Sequence, residues 1–346
     1  PSYYTGGWAD INVPGNWERQ GYGTAIYVNE TYEFDDKMFN FKKNPPLVPY
    51  AENEVGSYRC TFKVPADWKG RRVVLCCEGV ISFYYVWVNG KLLGYNQGSK
   101  TNAEWDITDV LNDGENVVAL EVYRWSAGAY LECQDMWRMA GIFRDVYIYT
   151  TEREYIRDYI INAVPSETLA DGYFDVTVKT NGAYEGLSID LSILDENGET
   201  VAIDSRYANE DNVTPLKAIV TGAKLWSAEA PNLYTLVITL KNNGIPTEYL
   251  STKFGFRKVE IKDGIIRING ERVVFKGTNR HEFDCRLGRV MTEETMLKDI
   301  LLMKQNNINA VRTSHYPNCV RWLELCDEYG LYAVSYTHLR AHETPE

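Results

Sequence analysis

The stretch Val273-Val274-Phe275-Lys276-Gly277-Thr278-Asn279-Arg280-His281-Glu282-Phe283 is followed, after a loop and a helical pattern, by Asn309-Ala310-Val311-Arg312-Thr313-Ser314-His315-Tyr316-Pro317. Val273, Val274 and Phe275 form a short apolar run stopped by Gly277, the mark of a buried strand. Thr292 is placed to cap a helix, with Glu293 and Glu294 in its first turn, where the helix dipole favours negative charge. Met296, Ile300 and Met303 keep helical spacing, and Leu297 and Leu301 widen that stripe. Ala310 to Thr313 reads as a second strand. Strand, loop, helix and strand make a βαβ unit with parallel strands. Arg321 to Cys326 then reads as a second helix ended by Gly330, and Leu331 to Val334 as a third strand. Repeated units of this kind predict the start of a (β/α)8 barrel, whose full course takes about 250 residues. Too few follow Arg257 for it to close. The clusters Asn279-Arg280-His281-Glu282 and Arg312-Thr313-Ser314-His315 fall at strand C-terminal ends, where such barrels carry their chemistry.

The 346 residues suffice for two or three domains with cores of their own. A net charge of −12 argues against a nucleic-acid or anionic-membrane partner, since both need a basic surface. No apolar run reaches the length of a membrane span. Seven cysteines, at 60, 76, 77, 133, 285, 319 and 326, include no CxxC pair. Zinc and redox motifs are therefore not expected, and free thiols in a reducing, cytoplasmic compartment are. Tyrosine is frequent (25) and there are 9 tryptophans, which suits β-rich cores and also supplies flat platforms for sugar faces.

Residues 1–150 read as many short strands, at Gly56–Lys63, Arg72–Glu78, Phe83–Val88, Asn116–Tyr123 and Ile142–Tyr149. Turn signals separate them, among them Asn89-Gly90 and Asp113-Gly114. This predicts an all-β jelly-roll sandwich. A proline-bearing irregular loop fills residues 30–55, and the one hint of helix is a turn near Glu104. Residues 151–256 alternate again, at Phe174–Lys179, Leu187–Leu194 and Leu233–Leu240, with a hairpin signal at Asn197-Gly198, and predict a second sandwich of immunoglobulin type. Residues 257–334 hold a hairpin from Ile261 to Arg272 and then the first β/α units of an incomplete barrel. Residues 335–346 are polar where another loop and helix are due, and are expected to be a non-native tail.

His281 and His315 occupy equivalent places in successive βα units. They are either ligand contacts or a hydrogen-bonded structural pair. Glu282 lies beside them without a partner carboxylate, and glycoside hydrolysis with retention needs two carboxyl groups about 5–5.5 Å apart. Gln134-Asp135-Met136-Trp137-Arg138 reads as a loop of the first sandwich, either salt-bridged or holding a polar ligand. Asn29, in Tyr27-Val28-Asn29, has the ordinary reading of a turn residue.

Six ordered motifs carry more than this. They are Val13-Pro14-Gly15-Asn16-Trp17, Tyr27-Val28-Asn29, Gln134 to Arg138 with Gly141-Ile142-Phe143-Arg144-Asp145-Val146, Phe254-Gly255-Phe256-Arg257, Gly277 to Glu282, and Arg312 to Asn318. Together they resemble glycoside hydrolase family 2, and within it the large bacterial β-galactosidases. The resemblance implies a jelly-roll sugar-binding domain, an immunoglobulin-like domain and a TIM barrel, with retaining hydrolysis of terminal β-D-galactosides such as lactose. It implies that Asn29, Asp135, His281 and His315 bind the substrate, and that Asp135 also belongs to a sodium site. Magnesium and sodium are the implied cofactors, and a homo-oligomer is the implied assembly of the full-length enzyme. The acid/base and nucleophile glutamates would lie beyond the end of this chain, so none of its residues is expected to be catalytic and the chain alone is expected to be inactive. The chain departs from the family pattern at Cys133, where an acid is common, and at Phe283-Asp284-Cys285. A β-glucuronidase or β-mannosidase of the same family, or a noncatalytic carbohydrate-binding protein, are the alternatives; Asp135 to Arg138 and Asn279 to His281 favour the galactosidase, and the βα units disfavour a binding module.

Overall fold

The computed structural model describes residues 5–29, 32–34 and 41–335. The expected tail therefore lies, apart from Ser335, outside the described residues, as do residues 30, 31 and 35–40 of the loop placed at 30–55.

The first unit is a sandwich of a four-stranded and a three-stranded sheet. The larger is ordered Val55–Lys63, Glu115–Tyr123, Phe83–Val88, Lys91–Asn96, all antiparallel. Alternation decides which side chains enter the core: Tyr84, Val86 and Val88 point inward and are buried, while Phe83, Tyr85 and Trp87 form an aromatic outer face. Asn89 and Gly90 turn the hairpin with φ of 51° and 80°, the left-handed pair that a two-residue turn demands. The smaller sheet is Val146–Thr151, Arg72–Cys77, Ala103–Asp106. Glu104 is thus in a strand paired to Cys76, not in a helical turn: the side chains of Ala103 and Trp105 pack on the core at period two, which a helix would scramble.

The second unit has sheets of three strands (Tyr155–Pro165, Gly172–Asn181, Val213–Val220) and four (Thr200–Tyr207, Leu187–Leu194, Tyr234–Asn242, Ile245–Phe254). Phe174, Val176 and Val178 from one sheet meet Ile189, Leu191, Leu236 and Ile238 from the other, an immunoglobulin-like core.

A small antiparallel sheet (Val259–Lys262, Ile265–Ile268, Glu271–Arg272) leads into the barrel elements. These are β1 (Gly277–Arg280), α1 (Glu293–Gln305), β2 (Ala310–Thr313), α2 (Val320–Tyr329) and β3 (Tyr332–Val334). The strands are parallel, with Gly277 opposite Ala310 and Ala310 opposite Tyr332. Thr292 caps α1 by accepting from the Thr295 N–H at 3.2 Å. Met296, Ile300 and Met303 pack with Val311, Trp322, Leu325 and Leu331. Leu297 joins that cluster at its edge, but Leu301 is 47% exposed and faces away from the sheet. The expected strand at Val273–Phe275 is also displaced. Val274 and Phe275 are exposed and the ladder starts only at Gly277. Asn309 accounts for this, because its side chain accepts from the Lys276 N–H (2.8 Å) and donates to the Val274 carbonyl (3.0 Å), taking backbone groups that a longer ladder would have used.

The two sandwiches hold the barrel elements from opposite ends. At the strands' N-terminal end, the Trp226 indole donates to the Asp327 carbonyl (2.8 Å), and the Lys304 ammonium bridges the carbonyls of Ala228 and Gly330. At the C-terminal end the jelly roll docks through Asn16, Arg19 and Arg144.

Candidate functional site

The site lies where the jelly roll meets the C-terminal ends of β1 and β2. Met136–Arg138 is a short strand and not a loop. It pairs antiparallel with Ile26–Val28, with Met136 opposite Val28, so Asn29 and Asp135 leave the ladder side by side. The Tyr27 hydroxyl donates to Asp135 Oδ1, and the Tyr27 ring lies edge-on to Trp137 at 5.6 Å. Neither Arg138 nor Arg144 pairs with Asp135. Arg138 turns back to the Glu132 and Gln134 carbonyls and to Cys133 Sγ (3.0 Å), while Arg144 reaches Glu282.

From the barrel, His281 follows β1 and His315 follows β2. Their strands are adjacent and in register, Arg280 opposite Thr313, which brings the imidazoles to 5.4 Å between ring centroids at 79°. Burial holds His281 below its ordinary pKa, and His315, Arg289 and Arg312 push the same way against the opposing field of Asp135. His281 is therefore a neutral imidazole at neutral pH, with one donor and one acceptor nitrogen. Its Nδ1 faces the Tyr316 hydroxyl at 3.4 Å. Phe283, one step further along, stacks on Trp137 at 6.3 Å and 15°, so the aromatic wall spans both domains.

Glu282, one residue past His281, is buried at 2% exposure. It pairs with Arg144 at 2.9 Å and accepts from the Cys319 N–H at 2.6 Å. Burial raises its pKa, but Arg144 and that N–H outweigh burial and leave it lowered, a fixed anion joining jelly roll to barrel. Sequence reasoning missed the layer beneath: Tyr316 is 1% exposed, with Lys100 Nζ 4.3 Å and Arg289 Cζ 4.5 Å from its ring centre. Tyr316 and Arg144 stood inside quoted motifs, but nothing in their spacing reveals a cross-domain contact.

Among the described residues no group of three His, Cys, Asp or Glu side chains converges on one point. Asp135 and the neighbouring Asn29 offer hard oxygens of the kind a sodium ion accepts. No helix among the described residues is long and apolar enough to cross a membrane.

Three family models match in succession. They are the glycosyl hydrolases family 2 sugar binding domain at residues 7–152, glycosyl hydrolases family 2 at 154–257, and the glycosyl hydrolases family 2 TIM barrel domain at 259–346. The chain is 45% identical to a β-galactosidase of Priestia megaterium over 97% of its own length and 33% of the relative's. It is 44% identical to a β-galactosidase of Streptococcus thermophilus, over 96% of its length and 32% of the relative's. The chain thus spans about a third of the length of these curated relatives. Among solved structures, a β-glucuronidase of Bifidobacterium dentium, complexed with coumarin-3-O-glucuronide, superposes with a TM-score of 0.77 at 25% identity, covering 94% of this chain and 55% of that one. A β-glycosidase from Bacteroides vulgatus gives 0.79 at 22%, covering 97% and 41%, a likeness of fold.

Proposed function

The chain belongs to glycoside hydrolase family 2, and from that premise we propose that its domain junction binds the terminal sugar of a β-D-galactoside in an enzyme that hydrolyses the glycoside with retention. The observation that carries this is the meeting of Asn29 and Asp135 from the jelly roll with His281 and His315 from the barrel around one aromatic wall. Asp135 accepts from sugar hydroxyls, and the neutral His281 imidazole, with His315 beside it, donates to them. Such bonds accelerate the reaction only in so far as they tighten when the ring flattens toward the oxocarbenium-like transition state. The Tyr316 hydroxyl lies 3.4 Å from His281 Nδ1, and in the tautomer where it donates there the Nε2 proton is left for the sugar. Asp135 would add a carboxylate to a sodium ion, whose charge would orient a sugar hydroxyl.

The two carboxylates of this junction are both engaged, Glu282 with Arg144 and Asp135 with Tyr27. Neither is placed as acid or nucleophile, and the reaction draws that pair from elsewhere. A carbohydrate substrate is common to the family; the galactoside, assembly as a homo-oligomer and a cytoplasmic location are parts of this proposal. The last is supported by the cysteines, all of them free thiols. The likeness to β-glucuronidases favours a glucuronide as the second reading. Electrostatics oppose it: a glucuronate carboxylate would face Asp135, while the cations Lys100 and Arg289 are buried beneath Tyr316. Assay of the full-length gene product against nitrophenyl galactoside, glucuronide and mannoside decides the matter. A preference for galactoside is expected, and a preference for glucuronide overturns the reading.

A further inference from the structure

Behind Tyr316 and Trp137, inside the jelly roll, lies a cavity of about 30 Å³ lined by Lys100, Arg124, Arg138, Arg289, Glu33 and Glu132, among others. It is large enough for one or two waters or a single small ion. The charges around it do not balance. Arg124 is neutralised by Glu33 (3.2 Å) and Glu54 (2.6 Å). Glu132 accepts from the Ser99 N–H (3.1 Å) and from its hydroxyl. Lys100, Arg138 and Arg289 remain, each at most 7% exposed, and among the described residues none of the three has a carboxylate within ion-pair distance.

Lys100 Nζ donates to Gln134 Oε1 (3.1 Å) and Arg138 to the Glu132 and Gln134 carbonyls, all neutral acceptors that leave the charges unbalanced. Arg289 Nη1 donates to Met136 Sδ (2.9 Å) and Arg138 Nη2 to Cys133 Sγ (3.0 Å), and sulfur is a weak acceptor. Arg289 Nε and Nη2 and Arg138 Nε are buried and have no hydrogen-bond partner among the described residues. Burial and the crowding of Arg289, Arg138 and Arg144 push the Lys100 ammonium well below its ordinary pKa, against the pull of Glu132. Buried donors of this kind are costly unless something accepts from them. What fits is small, enters by diffusion, and carries negative charge.

We propose that this cavity binds one monovalent anion of halide size, chloride under ordinary conditions, as the counter-ion of Lys100, Arg138 and Arg289. The Glu33 and Glu132 carboxylates on its wall set the limit: a divalent anion is repelled, and an organic acid is too large for the space. The ion sits behind the sugar junction and ties Arg289 of the barrel loop to Lys100 and Arg138 of the jelly roll.

Two measurements test this on the 346-residue chain. In crystals grown with sodium bromide, an anomalous difference peak is expected in the cavity, bonded to Arg289. In solution, thermal melts in sodium bromide are compared with melts in sodium gluconate, at equal ionic strength. The halide preference of the wild-type melting temperature should exceed that of Arg289→Met by about 2 °C or more, since ligand binding to the folded state alone raises it. Lys100→Met serves as the second variant, should Arg289→Met fail to fold, and is expected to lose the preference too. A cavity holding ordered water without an anomalous peak, or a halide preference equal in wild type and variants, overturns the proposal. No sugar enters either measurement, so the result stands apart from the galactoside reading.

Discussion

Asp135 is the residue on which the site turns, and its environment separates two roles. Among the described residues it has no arginine partner, so Asp135→Asn removes no ion pair there and should change stability by no more than a surface contact, about 0–1 kcal/mol. If its carboxylate tightens on the sugar in the transition state, kcat/KM for a galactoside falls by about 100-fold or more in the full-length enzyme, and the sodium dependence of what remains weakens. Unchanged kinetics with a lowered melting temperature would make Asp135 scaffold. Glu18 offers a pH handle at the same scale. Burial raises its pKa from 4.5 to about 7, although the Ala140 N–H donates to it. The folded state then holds a proton that the unfolded chain releases, so the contribution is present below about pH 4.5 and lost as pH rises toward 7, on the order of 1–3 kcal/mol. Melts across that window should slope downward in wild type, and the slope should flatten in Glu18→Gln. Residue identities such as Asp135, His281 and His315 were legible because motifs carried them. Lys100, Arg289 and Tyr316 were not, since their meaning arises only when strands far apart in sequence stack three charged and aromatic groups on one another.

At the scale of elements, periodicity located the strands well where one face is buried and the other open. Phe83–Val88 and Leu187–Leu194 run as alternation predicts. It failed at Val273–Phe275, where three apolar residues are passed over because Asn309 takes the backbone groups of that segment. It also left unread Thr200–Tyr207 and Ile245–Phe254, strands at the two edges of the four-stranded sheet whose exposed sides carry no clean pattern. Gly330 shows how an element's end can serve two ends at once. With φ at 75° it closes α2, and a Cβ there would stand 2.4 Å from the Ala228 carbonyl oxygen. Gly330→Ala should cost about 1–3 kcal/mol from the backbone alone, and more from that contact. Gly222→Ala is the control, since it has φ of 67° and open space around its Cβ. Equal losses of stability in the two variants would show that the Gly330–Ala228 approach contributes nothing to docking.

For the whole molecule, the domain order read from sequence is the order observed, because each domain announces itself through local patterning. The way the domains dock was not readable, since it depends on single side chains such as Trp226, Arg144 and Glu282 reaching across. Of the junction's two carboxylates, Glu282 is paired with Arg144 and Asp135 is held by the Tyr27 hydroxyl toward the sugar, and retaining hydrolysis needs an acid and a nucleophile besides. The 346-residue chain alone should therefore bind galactose without turning over a nitrophenyl galactoside, with the His281 and His315 resonances shifting on titration. Turnover by the purified chain, free of host enzyme, would contradict this.

The two-ended grip on the barrel elements bears on how the polypeptide is made. A ribosome releases the jelly roll and the immunoglobulin-like unit before β1 emerges, and domains generally fold in that order. Parallel strands are slow to pair because each must wait for its crossover helix. Here the nascent βα units are delivered between two surfaces already in place. Trp226 awaits the end of α2 and Ala228 the end of α1, and Asn16 and Arg144 await the loops that follow the strands. The sandwiches thus act as an intramolecular mould, and a lesion in either would first be felt as a fault of biogenesis, in a barrel that assembles late or not at all.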